Sequence, residues 1–188
     1  KPDITIDYCT TLLDSMPTND FFKLRARTYN QIGQANFVLG NYPNAYTSFL
    51  KSLEISEKEN LLIDVVNMNM NLGTMFSLIE NYEEAIKFYN NAQKKLPSLN
   101  DEITTGRVFS NLGFLYMKKK NMSKSLKYLD ESIEIFTKLK VPEWRAFAFI
   151  SKAELYLGNQ DYQKALQFYD KASIIHESLE DVKGKADV

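Results

Sequence analysis

The stretch NMNLGTMFSLIENYEEAIKFY, residues 69–89, is one of four versions of the same text: YNQIGQANFVLGNYPNAYTSF at 29–49, FSNLGFLYMKKKNMSKSLKYL at 109–129 and FISKAELYLGNQDYQKALQFY at 149–169. Gly33, Gly73 and Gly113 stand 40 residues apart, and Ala153 takes the next step. Twelve residues after these anchors come Ala45, Ala85, Ser125 and Ala165, all small. Nine after come Tyr42, Tyr82, Met122 and Tyr162, and sixteen after come Phe49, Tyr89, Leu129 and Tyr169. A period that holds at so many offsets predicts a chain built from repeated supersecondary units, each of which buries its apolar face against the next.

Each unit reads as two helices. Positions four before, one before and three after the anchor are mostly apolar, as in Phe109, Leu112 and Tyr116, which is helical spacing. Glycine inside a helix costs about 1 kcal/mol relative to alanine, so its recurrence implies a close approach of two helices. The small residue twelve later is expected to supply the other side. Joints such as Gly40-Asn41-Tyr42 and Glu80-Asn81-Tyr82 turn this helix A into a helix B, and Pro43 suits a first helical turn. Every short joint makes its two helices antiparallel neighbours.

The repeat resembles the tetratricopeptide repeat in a long form of about 40 residues. Its signature is fullest in the second unit, as Leu72, Gly73, Phe76, Ala85, Tyr89, Ala92 and Pro97. Departures are Asn69 in place of a large apolar residue, Lys152-Ala153 in place of Leu-Gly, and Ser125 in place of Ala. The resemblance covers essentially the whole chain and implies an all-α fold, a right-handed α-α superhelix with a concave groove. The register assigns residues 1–17 to a lone helix B, 18–59, 60–99, 100–140 and 141–180 to repeats one to four, and 181–188 to the start of a truncated next repeat. Cys9 then occupies the place of Phe49 and Tyr89, as a core residue. The chain opens on Lys1-Pro2 without a methionine and reads as a piece of something longer, with cut ends through which oligomers could form. A second resemblance, in LLDSMPTNDFFKLRARTYNQIG at residues 12–33, is to tetratricopeptide regions that precede membrane-anchored histidine kinases and DNA-binding regulators in Bacteroidetes-type bacteria. It implies a sensing or scaffolding role, with any output domain outside this chain.

Composition narrows the function classes. The 188 residues are 44% hydrophobic and 13% aromatic with seven Gly and five Pro, which suits a packed chain and not a disordered or collagen-like one. The 23 basic and 24 acidic residues give no field that would gather nucleic acid or anionic lipid. The local run of Lys118, Lys119, Lys120, Lys124 and Lys127 reads as a solvated face. No apolar run approaches the roughly 18 residues of a membrane span, so no insertion within this segment is expected, and the compartment stays open between bacterial periplasm and cytoplasm. Cys9 is alone, which excludes an intramolecular disulfide and a Cys-rich metal site. His176 is the single histidine and has no Cys or second His in register. Glu83-Glu84 and Asp130-Glu131 are adjacent and point apart on a helix. Asn121-Met122-Ser123 has the form of a glycosylation acceptor but falls at a joint. With no phosphate loop, zinc-protease motif or nucleophile elbow present, the sequence offers no catalytic residue, no metal site and no cofactor, and does not read as an enzyme.

What remains is a second stripe on helix A, at six, three and two residues before the anchor and one after, which share a face distinct from the packing stripe. Its members are Arg27, Asn30, Gln31 and Gln34; Asn67, Met70, Asn71 and Thr74; Arg107, Ser110, Asn111 and Phe114; and the more apolar Phe147, Ile150, Ser151 and Glu154. Amides carry a donor and an acceptor that match an extended peptide backbone, and Arg27 and Arg107 suit acidic groups. Arg27, Asn30, Gln34, Asn67, Asn71, Thr74, Arg107, Asn111 and Phe114 therefore form the candidate groove for a peptide or protein segment. In similar long-repeat proteins the asparagine of the Asn-Leu-Gly words, here Asn71 and Asn111, contacts ligand. A chaperone-type carboxylate clamp is not supported, because Asn30 and Asn111 stand where it needs positive charge. The competing reading is an assembly spacer that acts through its convex face or its ends, with a merely solvated groove.

Overall fold

The anchor glycines are buried because a large side chain lies on each. A computed structural model describes residues 1–17 and 20–186, with side chains as far as residue 179. The expected boundary between residues 17 and 18 and the final residues 187 and 188 of the expected next repeat fall outside the described residues. Among the described residues there are nine helices and no strand: α1 (Pro2–Ser15), α2 (Phe22–Val38), α3 (Tyr42–Lys58), α4 (Leu62–Leu78), α5 (Tyr82–Leu99), α6 (Glu102–Lys118), α7 (Met122–Lys138), α8 (Pro142–Gly158) and α9 (Tyr162–Ala186). The fold is an all-α helical repeat. The chain divides into two compact units, Lys1–Asn100 and Asp101–Val188. In the first, α1 packs on α2, α2 on α3, α3 on α4 and α4 on α5; in the second, α6 packs on α7, α7 on α8 and α8 on α9.

The helices stop on a cadence of 20 residues. Gly40, Asn60, Glu80, Asn100, Lys120, Lys140 and Gln160 all have positive φ, between 50° and 75°. One left-handed residue closes each of the helices α2 to α8, leaving its last carbonyls satisfied by the turn. The next residue but one begins a new helix, and Asn41, Asn81, Asp101, Asn121 and Asp161 cap it by accepting the amide three residues on, at 3.1–3.4 Å. Asn121 is thus engaged as a cap. Pro43 and Pro142 fall in first turns, where a missing N–H costs nothing. The first helix A departs from the pattern: the left-handed residue is Phe21, at the N-cap itself.

Inside each pair, the partner of the glycine is the residue sixteen later, not the one twelve later. A Cβ built on Gly33 would stand 2.5 Å from the Phe49 ring, one on Gly73 2.8 Å from Tyr89, and one on Gly113 2.6 Å from Leu129. The expectation that the small residue fills this crossing is corrected accordingly. Ala45, Ala85 and Ser125 are fully buried beside it, and Ser125 donates to the Gly113 carbonyl at 2.8 Å. The fourth pair supports the same geometry: with Ala153 as anchor, Tyr169 is 36% exposed, whereas Phe49, Tyr89 and Leu129 are at most 2% exposed. A second crossing brings residues seven before the anchor (Ala26, Val66, Gly106, Ala146) toward small residues nineteen after it (Ser52, Ala92, Ser132, Ala172), all buried. Ser52 donates there to the Ala26 carbonyl at 2.7 Å. Gly106, the smallest of its set, makes room for Phe136, whose ring a Cβ would meet at 2.7 Å.

Between the crossings, ring pairs join helix A to helix B: Phe76 with Phe88, Tyr116 with Tyr128 and Tyr156 with Phe168 stack at 5.5–5.7 Å and within 7° of parallel. The first pair has buried Asn36 and Ser48 in those places, and Asn36 donates back to the Ile32 carbonyl at 2.9 Å. Cys9 is buried, and desolvation raises its thiol pKa. His176 is exposed. The register expects a joint near residue 180, but α9 continues without one to Ala186. Residues 181–186 are therefore helical as a prolongation of helix B.

Candidate functional site

The candidate groove residues lie on the helix A elements of both units. In the first unit they come from α2 and α4. Asn71 on α4 donates through Nδ2 to Oδ1 of Asn30 on α2 at 3.0 Å, and Gln34 donates to the same oxygen at 3.2 Å. The two repeats are thus joined amide to amide across neighbouring helices, 41 residues apart in sequence. Each amide also carries a second polar atom, Asn71 Oδ1 an acceptor and Asn30 Nδ2 a donor, of the kinds that an extended backbone pairs with. Asn67 is half-buried beside them, one turn before Asn71. Thr74 bonds the Met70 carbonyl at 3.0 Å and meets the Tyr89 hydroxyl at 2.9 Å. Burial pushes the Tyr89 pKa up to about 12, against the smaller downward pull of the Thr74 hydroxyl.

Arg27 is half-exposed, and its Nε lies 3.6 Å from Oδ1 of Asp64, a residue on α4 that is itself nearly buried. The other Asp64 oxygen is buried without a hydrogen-bond partner. The guanidinium expected to await an acidic ligand is therefore already held by an acid from the next repeat. An open cleft of about 520 Å³ lies at this end of the unit, lined by Phe21, Phe22, Lys23, Leu24, Arg27 and Leu61 together with Asp20 and Glu59.

In the second unit the wall comes from α6 and α8 and is aromatic. Arg107 on α6 lies over the ring of Trp144 on α8, 5.1 Å from its centroid. Desolvation lowers the Arg107 pKa, against a smaller upward pull from Asp101. Phe114 is half-buried under the Lys118 ammonium, 5.1 Å from its ring centre. Asn111 is half-buried on α6, and Phe147 and Trp144 are partly exposed on α8. A cleft of about 380 Å³ continues between the ends of these helices, lined by Met117, Lys118, Lys120, Glu154, Leu155 and Asn159. Asp64 and Trp144 escape the sequence reading. Both stand nine residues before their anchors, outside the stripe, and meet the residue six before the previous anchor only when successive repeats stack. Among the described residues no cluster of His, Cys, Asp and Glu is placed to hold a metal ion, and no helix is long and apolar enough to cross a membrane.

The tetratricopeptide repeat family matches this chain at residues 24–95 and 104–178. Outer dynein arm-docking complex subunit 4 of Xenopus laevis is 24% identical over 128 residues, which are 68% of this chain and 24% of that protein. The chain therefore spans about a quarter of that relative's length. Among solved structures, BtubC from P. vanneervenii superposes with a TM-score of 0.74 at 22% identity, over 89% of this chain and 68% of the other. A Rap protein complexed with competence and sporulation factor superposes at 0.78 and 16% identity, over 86% of this chain and 45% of the other. At these identities the likeness is one of fold. The 40-residue pairs of helices, the glycine under a large side chain and the family match over most of the sequence lead to one assignment: the chain belongs to the tetratricopeptide repeat family.

Proposed function

We propose that this chain is a non-catalytic module that holds an extended peptide or protein segment along the inner face of its A helices, as the sensing or scaffolding part of a larger bacterial regulator. The observation that carries the reading is the Asn30–Asn71 pair. One amide hydrogen bond joins the two side chains across α2 and α4, so that polar amides are held in place on the face of the A helices. Fixing the amides beforehand removes part of the ordering cost that a ligand would otherwise meet. The Rap protein of the same fold, complexed with competence and sporulation factor, supports a ligand-holding role. In the second unit, the partly exposed Trp144 and Phe147 offer apolar contacts of their own.

Peptide display against the immobilised chain tests this. Peptides enriched on the parent should bind Asn71→Ala and Asn111→Ala at least about tenfold more weakly, since each buried amide left unpaired costs about 1–3 kcal/mol. Circular dichroism of the variants should remain that of the parent. Enriched peptides that bind parent and variants alike would refute the groove and favour the spacer reading, with contacts on the convex face or the ends.

A further inference from the structure

The turns between helix A and helix B carry side chains that a turn has no structural use for. In the first unit, Val38 and Leu39 at one turn and Leu78 and Ile79 at the next occupy equivalent register positions, five and six after the anchor, and all four are exposed. Val38 is 72% and Leu78 is 55% open to solvent. Both turns stand at the same end of their helix pairs, so the aliphatic side chains form a ridge along one edge. Contiguous exposed apolar surface of this kind marks a place of association. The charge beside the ridge is acidic: Glu80 is exposed with no ion pair among the described residues, and Glu84, in the first turn of α5, is paired with Lys87 on its own helix.

The corresponding turn of the second unit has the opposite character. Lys118 and Lys120 stand where the first unit has Leu78 and Glu80, and Lys124 stands where it has Glu84. Lys120 is exposed with no ion pair among the described residues, while Lys118 and Lys124 lie over the rings of Phe114 and Tyr116. The following turn of that unit adds exposed apolar groups, Leu157 and Tyr162, the latter 65% open. One edge is therefore aliphatic and acidic, and the other is basic with apolar neighbours.

We propose that this protein associates with a second copy of itself, the aliphatic and acidic turn edge of residues 38–42 and 78–84 in one copy meeting the basic turn edge of residues 118–124 and 157–162 in the other. Exposed charges at such a contact set its register and partner choice, and the apolar groups supply the area removed from water. The contact joins two different surfaces, so it either closes into a pair that makes it twice or continues as a string of copies.

Charge exchange at register-equivalent positions tests this, with circular dichroism checking that each variant keeps the helical fold. Glu80→Lys with Glu84→Lys gives the second turn the residues the third already holds at these places, including the Lys124 and Lys127 spacing. Lys120→Glu with Lys124→Glu does the reverse. In sedimentation equilibrium at low salt, the parent chain should associate reversibly and dissociate as salt is raised. Each double variant alone should associate at least about tenfold more weakly, because like charges then face one another. An equimolar mixture of the two should regain the parent association, now between unlike chains. A parent that remains monomeric at every concentration overturns the proposal and leaves the ridge to a foreign partner. Variants that associate like the parent, or a mixture that fails to recover, overturn it as well.

Discussion

Gly73→Ala is the smallest change that probes the crossing on which each repeat depends. On helix propensity alone, alanine in place of a mid-helix glycine should stabilise by about 1 kcal/mol. The structure reverses that sign. The added Cβ would lie 2.8–2.9 Å from three atoms of the Tyr89 ring, closer than carbon atoms approach one another. Tyr89 is 2% exposed, and its hydroxyl is tied to Thr74 at 2.9 Å, so the ring cannot withdraw without loss of that bond. Overpacking of a filled site costs typically about 1–3 kcal/mol, and a lost hydrogen bond adds roughly 1 kcal/mol. Set against the propensity gain, the net expectation is a destabilisation of about 1–3 kcal/mol. In a chain of this size each kcal/mol moves the melting point by about 2–4 °C. Urea unfolding followed by circular dichroism measures the change, with Gly158→Ala as the internal comparison, since a Cβ there meets nothing within 4 Å. If Gly73→Ala melts at or above the parent, the tyrosine does not bear on the glycine and the assigned crossing is wrong.

Other expectations follow from neighbouring features. Lys120→Gly should stabilise by about 1 kcal/mol in thermal unfolding, because the left-handed conformation that Lys120 adopts at φ 56° is costly for any residue with a Cβ. Asn30→Ala removes the acceptor of both Asn71 and Gln34 and should cost about 0.5–1.5 kcal/mol in the same assay. Tyr89 should be the last tyrosine seen to ionise in an ultraviolet titration, near its raised value of about 12. The unfolded chain releases that proton near pH 10 and the folded chain does not. Its contribution to stability is therefore complete below pH 10 and is lost as the pH rises toward 12, which urea midpoints measured across that window should show.

The repeat length, the helix pairs and the capped turns were legible in the sequence because each depends on residues close together in the chain. Asn81 caps α5 by reaching three residues ahead, and the spacing of Leu112 and Tyr116 announces one helical face. The glycine's partner was harder to find. Residues twelve and sixteen after the anchor lie one turn apart on the same face of helix B, and only the crossing geometry decides that the larger of them sits on the glycine. The wall was legible as a list of residues and not as a set of bonds. Arg27 and Arg107 read as suited to incoming acidic groups from their chemistry alone, whereas Asp64 and Trp144 meet them from the following repeat. The uninterrupted passage of α9 through residue 180 was also missed, because Asp181 stands at the register position of the caps Asp101 and Asp161 and so announces a joint, yet the helix runs on to Ala186.

The cadence of left-handed residues at 40, 60, 80, 100, 120, 140 and 160 bears on how such a chain can change its length. A segment of 40 residues excised or duplicated between equivalent turns carries its own stop, its own cap and both sides of its own crossing, so the break falls where two exposed ends already match. No new turn has to be invented, and no helix is rotated out of phase. A gain or loss of one residue within a helix would instead swing everything beyond it by about 100° around the axis, placing the wall amides under the ring pairs and the rings in solvent. Recombination between copies of the repeat is therefore a route by which the gene can lengthen or shorten the array in whole modules, whereas slippage of single codons is met at once by misfolding.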